Sequence, residues 1–323
     1  MPRTATVKRL TFPEGRRVLA ISDIHGNLPF LKGVLAAAHY GPDDILVLVG
    51  DLVEKGPDSL TTLRFIMELA ERNTVYGLRG NCDNLVSEFV AARGEEERFY
   101  RHYVDVWRDR CLLVQMGHAA GFETRGPEEL PALREVVRAR FGPELAFLEA
   151  MPEILLTPDY LFVHGGVADE AHLEGLDAWK CMKNDDFLSQ GHSFRRWCIV
   201  GHWPVTLYHP HVPSAAPLLA EGRHIASIDG GCSLKVDGQL NALEVLERGA
   251  ELSLCRHLET GRVLEVLTEY LYVDRGVTRC EDSTDYRLAV RPGDTLSVVR
   301  RISDRALVKK DGVTGWYFGR LAH

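Results

Sequence analysis

The sequence of 323 residues has none of the long apolar runs that mark membrane and secreted proteins. No run approaches the roughly 18 consecutive apolar residues that a membrane-spanning helix requires. The opening residues, MPRTATVKRLTFPEG, have no apolar core of the kind found in signal peptides. We therefore expect a cytoplasmic protein that does not bind membranes.

Cysteine pairs and an excess of basic residues are also missing. The seven cysteines are scattered, odd in number and never spaced as CxxC, which argues against a disulfide framework and against a zinc finger. Lys and Arg number 38 against 46 Asp and Glu, which gives a net charge of −8. Because nucleic-acid binding relies on basic residues that neutralise phosphates, we expect no nucleic acid partner.

The composition that remains is that of a soluble globular protein. Hydrophobic residues make up 45% and charged residues 26% of the chain, and the length suits one sizeable domain with a small one. The 13 histidines are many for this length. Several of them lie beside glycines at the ends of apolar runs, which makes metal binding an early hypothesis.

Apolar runs alternate with helical patterns in the first part of the chain. RRVLAISD (16–23) and DILVLVGD (44–51) are predicted strands on either side of a helix, LPFLKGVLAAAHY (28–40). The pattern continues with a helix over 59–72 and a strand over 74–81. Together these segments predict a stacked α/β sheet. Further strands are predicted at 160–166, 197–204, 224–231 and 241–247.

Two segments depart from this pattern. Charged, aromatic and helical sequence fills about 85–158, which predicts a helical insertion that either covers the core or forms a wall of the substrate cleft. Its Trp107 and Tyr103 belong to residue types that are more often core than contact. Near the end of the chain, short alternating strands with Pro-Gly and Asp-Gly turns predict a small β-barrel. The predicted units are 1–250, a connecting segment 251–285 and the barrel 286–323.

Six polar side chains follow predicted strands, at the carboxyl ends where open α/β sheets place their ligands. They are Asp23, His25, Asp51, Asn81, His164 and His202. Asp23 and His25 are two residues apart, so an extended backbone would direct both side chains to one side. Asp51 is placed where a carboxylate can bridge two metals, and Gly50 allows a sharp turn before it. These nitrogen and oxygen ligands suit Mn²⁺, Fe or Zn²⁺ better than Ca²⁺.

Two divalent metal ions at one site favour phosphoester hydrolysis. Cations about 3.5–4 Å apart generate hydroxide at neutral pH and neutralise the oxygens of a phosphoryl group during in-line displacement. The segments SDIHGN, GDLVEKGPDS, LRGNCDN, FVHGG and VGHWPV follow one another within a match that runs from residue 18 to about 247. In this order they resemble the motifs of the calcineurin-like metallophosphoesterases.

The resemblance implies a fold, a ligand assignment and a reaction. The fold is a four-layer α/β/β/α sandwich. One metal would be held by Asp23, His25 and Asp51, and the other by Asp51, Asn81, His164 and His202. A hydroxide that bridges the two metals would attack phosphorus.

The motifs also indicate a branch of the family. GHWPV, FVHGGV and IDGGC are similar to the phosphoprotein phosphatase branch, which includes Ser/Thr protein phosphatases and diadenosine tetraphosphatases. Pro204 stands where other relatives carry a further histidine ligand. The branch would place arginine at Lys55, and its other arginine is present as Arg79, so both residues are candidates for binding the phosphate oxygens.

The segment LRGNCDN departs from the branch at Cys82, where its members usually carry a histidine that protonates the leaving group. A thiol can donate a proton but lacks the imidazolium charge, and the retained Asp83 should discourage the thiolate further. We therefore predict that Cys82 donates weakly and that good leaving groups are favoured. The alternative is that Cys82 is a small buried residue with no catalytic role.

Other polar residues near the motifs have two interpretations each. His209 and His211 extend the metal site or pack a loop, and Arg195 and Arg196 contact substrate or form a solvated basic face. Asp229 follows a predicted strand and either caps a turn or supports the metal ligands through hydrogen bonds.

The expected function is that of a two-metal hydrolase of phosphomonoesters, with phosphoserine and phosphothreonine in proteins among the candidate substrates. A phosphodiesterase or a dinucleoside polyphosphate hydrolase is the second expectation, favoured by Cys82. A catalytically inactive scaffold is the third, and the intact ligand positions count against it. The stretch from GDTLSVV to GVTGWYFGRL resembles bacterial SH3-like domains, which implies either a peptide or protein partner or a stabilising appendage.

Overall fold

Two β-sheets packed face to face form the centre of the molecule. The computed structural model describes residues 3–91, 96–208, 215–235, 238–245, 255–257, 294–302, 305–310 and 313–317. The first sheet has the order β11 (Cys255–His257), β10 (Ala242–Val245), β2 (Val18–Ile21), β3 (Ile45–Val49) and β4 (Thr74–Leu78). The second has the order β1 (Val7–Arg9), β5 (Ile154–Leu156), β6 (Tyr160–Val163), β7 (Trp197–Val200), β9 (Ile225–Ser227) and β8 (Leu218–Ala220).

Alternation of side chains along the strands gives each sheet two apolar faces. In the first sheet β2 pairs in parallel with β3, and β3 in parallel with β4. Val18 and Val47 of these strands join Phe162 of β6 in the core between the sheets. Their neighbours Leu19 and Leu46 belong to the core on the opposite face. The period of two therefore explains why these strands are apolar throughout.

Helices cover the outer faces of both sheets. In chain order they are α1 (Leu28–Ala37), α2 (Ser59–Arg72), α3 (Asn81–Ala91), α4 (Glu96–Phe99), α5 (Asp105–Trp107), α6 (Leu112–Ala119), α7 (Leu130–Arg140), α8 (Gly142–Ala150) and α9 (Ala178–Met182). The first sheet packs against α1, α2 and the helices of the insertion, and the second packs against α9. The fold is a mixed α/β sandwich of two sheets with helices. Among the residues described, no helix has the length and apolar character needed to cross a membrane.

Helix α2 has the bounds that the sequence predicts. Asp58 Oδ1 accepts a hydrogen bond from the Thr61 N–H at 3.1 Å, which caps the first turn. Leu63 and Ile66 recur at helical spacing and are buried against the core. A clear apolar period and a capping residue make the bounds of this helix readable from the sequence.

Several predicted boundaries are wrong. The strands predicted over 160–166, 197–204 and 224–231 end at Val163, Val200 and Ser227. The strand predicted over 74–81 ends at Leu78, and Asn81 already begins α3. The insertion predicted to reach about residue 158 ends its helices at Ala150, and the next residues form β5, which pairs with β1 and β6. Strand β5 has only three residues, all of them buried, so it shows too little alternation to be recognised in sequence.

A third sheet lies in the region predicted to be a β-barrel. The strands β12 (Ser297–Ile302), β13 (Arg305–Lys310) and β14 (Val313–Tyr317) form an antiparallel sheet in which Val308 and Trp316 are buried. Most of the predicted connecting segment and parts of the predicted barrel lie outside the described residues. Closure into a barrel, the resemblance to SH3-like domains and the three-part division of the chain therefore stay predictions.

Candidate metal centre

Loops from both sheets bring the predicted ligands together. Asp23 follows β2, Asp51 follows β3, and His164 follows β6 of the second sheet. His25 Nε2 lies 3.9 Å from Asp23 Oδ1 and 3.8 Å from Asp51 Oδ2, and all three residues are buried. From the other sheet, His164 Nε2 lies 3.3 Å from Asp51 Oδ1. Asp51 is therefore the residue around which the cluster is arranged.

His202 and Asn81 border this cluster. The His202 N–H donates to Asp23 Oδ2 at 3.0 Å, and the His202 and His164 rings lie 5.3 Å apart between centroids. Asn81 is the first residue of α3, and the N–H of the residue that follows it donates to Asp51 Oδ1 at 2.8 Å. All six predicted ligand positions thus meet at one place.

The backbone at the centre is held in an uncommon conformation. Asp23, His25, Asp51 and His202 have φ values of 58°, 49°, 52° and 66°. The left-handed region costs a residue with a side chain on the order of 1–3 kcal/mol. The extended backbone predicted for Asp23 and His25 is therefore wrong. Hydrogen bonds between the loops, from the Asp23 N–H to the Gly50 carbonyl and from the His25 N–H to the Asp51 carbonyl, hold this conformation at 3.0 Å each.

Two glycines let these loops approach each other. Gly50 has a φ of 86°, and a Cβ on it would lie 2.6 Å from Nδ1 of His164. A Cβ on Gly80 would lie 2.1 Å from Asp51 Oδ1. Any larger residue at either position would displace a predicted ligand, so both glycines are needed for the centre to form.

Backbone carbonyls orient the buried imidazoles. His25 Nδ1 lies 3.1 Å from the Glu54 carbonyl oxygen, and His164 Nδ1 lies 2.8 Å from the Val49 carbonyl oxygen. Because a carbonyl can only accept, each Nδ1 carries the hydrogen and each Nε2 is directed toward the carboxylates. This is the arrangement in which histidine binds metals.

The donor set fits divalent metal ions. Asp51 belongs to two groups of atoms that could each hold an ion, one with Asp23 and His164 and one with His25 and Cys82. In addition, Asn81 Oδ1 is buried without a hydrogen-bond partner in the described part of the chain. Such groups are costly to bury unless something binds them. The participation of the Cys82 thiol in one group differs from the thiolate-free site predicted from sequence.

The pKa values show that the centre attracts positive charge. Burial raises the pKa of Asp23 to about 7, and burial lowers the pKa values of His25 and His202 to about 4 each. Burial also opposes protonation of His164, but the carboxylates of Asp51 and Asp23 outweigh it and raise its pKa to about 10. The same carboxylates would attract a metal ion, which would displace that proton.

Asp83 and Cys82 face different surroundings. Asp83 accepts from the Leu52 N–H through Oδ1 and from the Gly80 N–H through Oδ2, both at 2.9 Å, so it braces the loops. Burial and the Asp51 carboxylate raise the pKa of the Cys82 thiol well above its usual value, against the opposing effect of Lys55. The expectation that Asp83 discourages the thiolate is corrected, because Asp51 takes that role.

Lys55 and Arg79 have different surroundings. Lys55 lines the cleft beside the centre, with its Nζ 5.8 Å from the centroid of the Trp107 ring. Arg79 is buried, and its Nη2 donates to the carbonyl oxygens of Leu148 and Glu149 at 2.9 and 2.6 Å. The structure therefore does not bring Arg79 to the centre, and its predicted contact with phosphate is corrected to a contact with the end of α8.

Several polar residues at the site were missed in the sequence. Lys183 Nζ and His202 Nε2 both lie 2.7 Å from Asp185 Oδ1, and Lys183 and Asp185 line the same cleft as Lys55. Glu54 is buried and accepts from the Tyr103 hydroxyl at 2.9 Å. Glu54 stands inside a motif, whereas the run KNDD (183–186) lies outside all of the motifs. The only sequence signal for this run is its charge between two predicted strands.

The structure gives the surroundings of Arg196 and Asp229, two of the residues for which the sequence left two interpretations. Arg196 pairs with Glu170 at 2.7 Å and donates to the Thr157 carbonyl at 3.0 Å, so it belongs to the scaffold. Asp229 is buried, accepts from the Gly231 N–H at 2.7 Å, and leaves Oδ2 without a hydrogen-bond partner in the described residues. His209 and His211 lie outside the described residues.

A buried set of carboxylates, imidazoles and an amide oxygen thus lies at the strand ends of an α/β sandwich, where it offers ligands to divalent metal ions. The model of the calcineurin-like phosphoesterases matches residues 16–228, which is more than half of the chain. The chain belongs to this family.

Curated relatives match short stretches of the chain. A symmetrical bis(5′-nucleosyl)-tetraphosphatase from Pectobacterium atrosepticum is 45% identical over 64 residues, which cover 20% of this chain and 22% of the relative. Serine/threonine-protein phosphatase 1 from Salmonella typhimurium is 34% identical over 86 residues, which cover 26% of this chain and 38% of the relative. The chain thus spans about a fifth to two fifths of the length of these relatives.

Solved structures align over more of the chain at lower identity. A putative diadenosine tetraphosphatase aligns with a TM-score of 0.45 and 18% identity, covering 74% of this chain and 93% of that one. A protein serine/threonine phosphatase from Saccharomyces cerevisiae aligns with a TM-score of 0.47 and 13% identity, covering 79% and 84%. Both TM-scores are under 0.5, so these similarities carry no weight for the substrate.

Proposed function

We propose that the centre holds two divalent metal ions. Asp23, His25 and Asp51 bind one, and Asp51, Asn81, His164 and His202 bind the other. The buried, unpartnered oxygen of Asn81 and the two groups of ligand atoms around Asp51 support this assignment. Mn²⁺, Fe and Zn²⁺ suit these ligands. When bound, the ions supply a nucleophile from water and neutralise the oxygens of the phosphoryl group.

Lysines of the cleft bind the substrate phosphate in this proposal. Lys55 and Lys183 both line the cleft beside His202. Asp185 also faces it, but its charge is balanced by Lys183, whose Nζ lies 2.7 Å away. Lysine acts on phosphate as a point charge, so these residues favour anionic substrates without fixing the orientation of the phosphate.

The substrates favoured by this site are esters and anhydrides with good leaving groups. The observation that carries this conclusion is that the Cys82 thiol, an uncharged acid with a usual pKa of about 8.5, is buried beside Asp51. So weak an acid protonates a departing alkoxide poorly. Phosphodiesters with acidic leaving groups and dinucleoside polyphosphates need little protonation, and they are our first candidates.

Alkyl phosphomonoesters such as phosphoserine in proteins are the second candidate. The similarity to the serine/threonine-protein phosphatase from Salmonella typhimurium favours them. For such substrates a water molecule would have to protonate the leaving group in place of Cys82.

Parallel assays distinguish these candidates. Hydrolysis of bis(p-nitrophenyl) phosphate, a dinucleoside tetraphosphate and a phosphoserine peptide would be measured with Mn²⁺, with Asp51→Asn as the blank. We expect faster turnover of the first two substrates. Faster turnover of the peptide would reverse the order of the candidates, and no turnover above the blank on any of them would contradict hydrolysis at this centre.

The segment 286–323 is proposed to be a separate SH3-like barrel that binds a peptide or protein partner. The antiparallel sheet β12, β13 and β14 supports this proposal. Removing 286–323 should leave hydrolysis of small esters unchanged, as measured by initial rates. A loss of hydrolysis would instead make the segment part of the catalytic domain.

A further inference from the structure

The cleft beside the metal centre has an aromatic and a cationic side. It has a volume of about 440 Å³ and reaches His202. Its lining includes two indoles, Trp107 from the insertion and Trp203 from the loop after β7. Three lysines, Lys55, Lys183 and Lys235, line the same space. Flat apolar surfaces and ammonium groups therefore face one cleft.

Trp107 is held beside a phosphate-binding group. The Lys55 Nζ lies 5.8 Å from the Trp107 ring centroid, within the range of a cation–π contact. Upstream in the insertion, the Tyr103 hydroxyl donates to Glu54 at 2.9 Å, and the Lys55 N–H donates to the Arg110 carbonyl at 3.0 Å. These bonds on both sides of α5 fix the indole relative to the lysine, so a phosphate at Lys55 would lie close to an aromatic surface.

Trp203 is fixed to the metal centre by the chain itself. It directly follows His202, and its N–H donates to the Gly201 carbonyl at 2.7 Å. Pro204 and Leu207 continue the apolar side of the cleft. The indole and the metal ligand thus belong to one short loop, which places an aromatic surface within the reach of any group attached to the reacting phosphate.

We propose that Trp107 and Trp203 bind the base of a nucleoside 5′-polyphosphate, with its phosphate chain along the lysines. The proposal rests on the proposed function, because it assumes that the phosphate reacts at the metal centre. An alkyl group would leave both indoles without a planar partner. The cleft is larger than a single phosphate group needs, and Lys55 and the Lys183–Asp185 pair would face the phosphate chain.

Equilibrium binding to the Mn²⁺-loaded protein tests this proposal without any need for turnover. Isothermal titration calorimetry would compare ADP with pyrophosphate, which has the same phosphates but no base. The variants are Trp107→Leu and Trp203→Leu, with Trp179→Leu as the control, since Trp179 lies on α9, is 46% exposed and does not line the cleft.

The expected result is a loss specific to the base. Stacking on an aromatic side chain is worth at least about fivefold in affinity. Trp107→Leu and Trp203→Leu should each weaken ADP by at least about that factor and leave pyrophosphate unchanged, while Trp179→Leu changes neither. Equal affinities of the unaltered protein for ADP and pyrophosphate, or parallel losses of both ligands in the variants, would overturn the proposal.

Two further comparisons separate the alternatives. AMP should bind more tightly than phenyl phosphate, and equal binding of the two would contradict recognition of a nucleobase. If ADP binding depends on the indoles but no substrate is hydrolysed, the proposed function fails and the base-binding site stands. If substrates are hydrolysed but the indoles do not affect ADP binding, the proposed function stands and the base-binding site fails.

Discussion

Two clusters built around buried carboxylates differ in how their charges are balanced. In one, Glu153 Oε1 lies 2.7 Å from the Arg3 guanidinium and 3.9 Å from Arg79 Nε. In the other, the carboxylates of Asp23 and Asp51 share the metal centre with imidazoles. In the first cluster guanidinium groups supply the positive charge, whereas in the second it is a proton on His164, which a metal ion can displace.

The source of the positive charge distinguishes a cluster that stabilises the fold from one that can bind a metal ion. A buried carboxylate that is matched by guanidinium groups needs no further ion, because the chain supplies the positive charge and the N–H donors. Carboxylates beside neutral imidazoles such as His25, whose pKa burial lowers to about 4, still need a cation. We therefore expect substitutions in the two clusters to have different consequences.

The largest effect is expected from Asp51→Asn. Asp51 is shared by both groups of candidate ligand atoms, so its loss should remove metal and activity together. Loss of a hydrogen-bonding partner of a metal ligand already costs up to about 100-fold in activity. Loss of the shared ligand itself should lower the rate by well over that factor. Initial rates on bis(p-nitrophenyl) phosphate measure this, with the exposed Asp43→Asn as the control. Activity of Asp51→Asn within about tenfold of the control would contradict the claim that this cluster, unlike the first, binds metal.

Arg79→Met should affect stability instead. The variant leaves the carbonyl oxygens of Leu148 and Glu149 without the Arg79 donor, and unsatisfied buried acceptors of this kind should cost about 3 kcal/mol of unfolding free energy. Urea denaturation measures the change. The matched control is Arg138→Met, because Arg138 pairs with Glu135 at 2.7 Å on the surface, where such a pair is worth less than about 1 kcal/mol. Equal losses in the two variants, or loss of metal from folded Arg79→Met protein, would contradict the structural role of Arg79.

Metal affinity should rise with pH. In the metal-free centre the neighbouring carboxylates raise the pKa of His164 to about 10, so this imidazole keeps its proton at neutral pH. Binding of a metal ion there releases that proton, which strengthens the apparent affinity up to about tenfold for each pH unit. Competition with a fluorescent chelator at pH 6, 7 and 8 measures the slope. An affinity independent of pH would show that His164 is not a ligand.

Cys82→His should have the smallest effect, confined to poor leaving groups. An imidazolium near the reacting phosphate is a better acid than the buried thiol, so turnover of an alkyl monoester should rise by about tenfold or more. Rates on phosphoserine peptide and bis(p-nitrophenyl) phosphate are compared, with Cys82→Ser as the control. Unchanged kinetics on both substrates would remove Cys82 from the reaction.

The meeting of the candidate ligand side chains could be predicted from the sequence because regular elements determine where they lie. Asp51 and His164 follow strands whose apolar runs are plain, so their meeting at the sheet edge could be foreseen. The conformation between strand and ligand could not be foreseen. The left-handed φ of Asp23 and His25 arises from hydrogen bonds to another loop, and no local pattern encodes them.

Partners of long side chains were the least predictable part of the site. Arg79 and Lys55 look equivalent as cations within motifs, yet one lies on the end of α8 and the other in the cleft. Asp185 reaches His202 only because the chain folds back after α9. Such contacts depend on tertiary packing, which spacing along the sequence does not report.

Metal content tests the central claim most directly. Protein dialysed with Mn²⁺, Fe or Zn²⁺ and then freed of unbound metal would be measured by inductively coupled plasma mass spectrometry, beside Asp51→Asn. The account predicts two metal ions per chain in the unaltered protein and a clear loss in the variant. A folded protein that retains no metal, or an Asp51→Asn variant that retains as much as the unaltered protein, would contradict it.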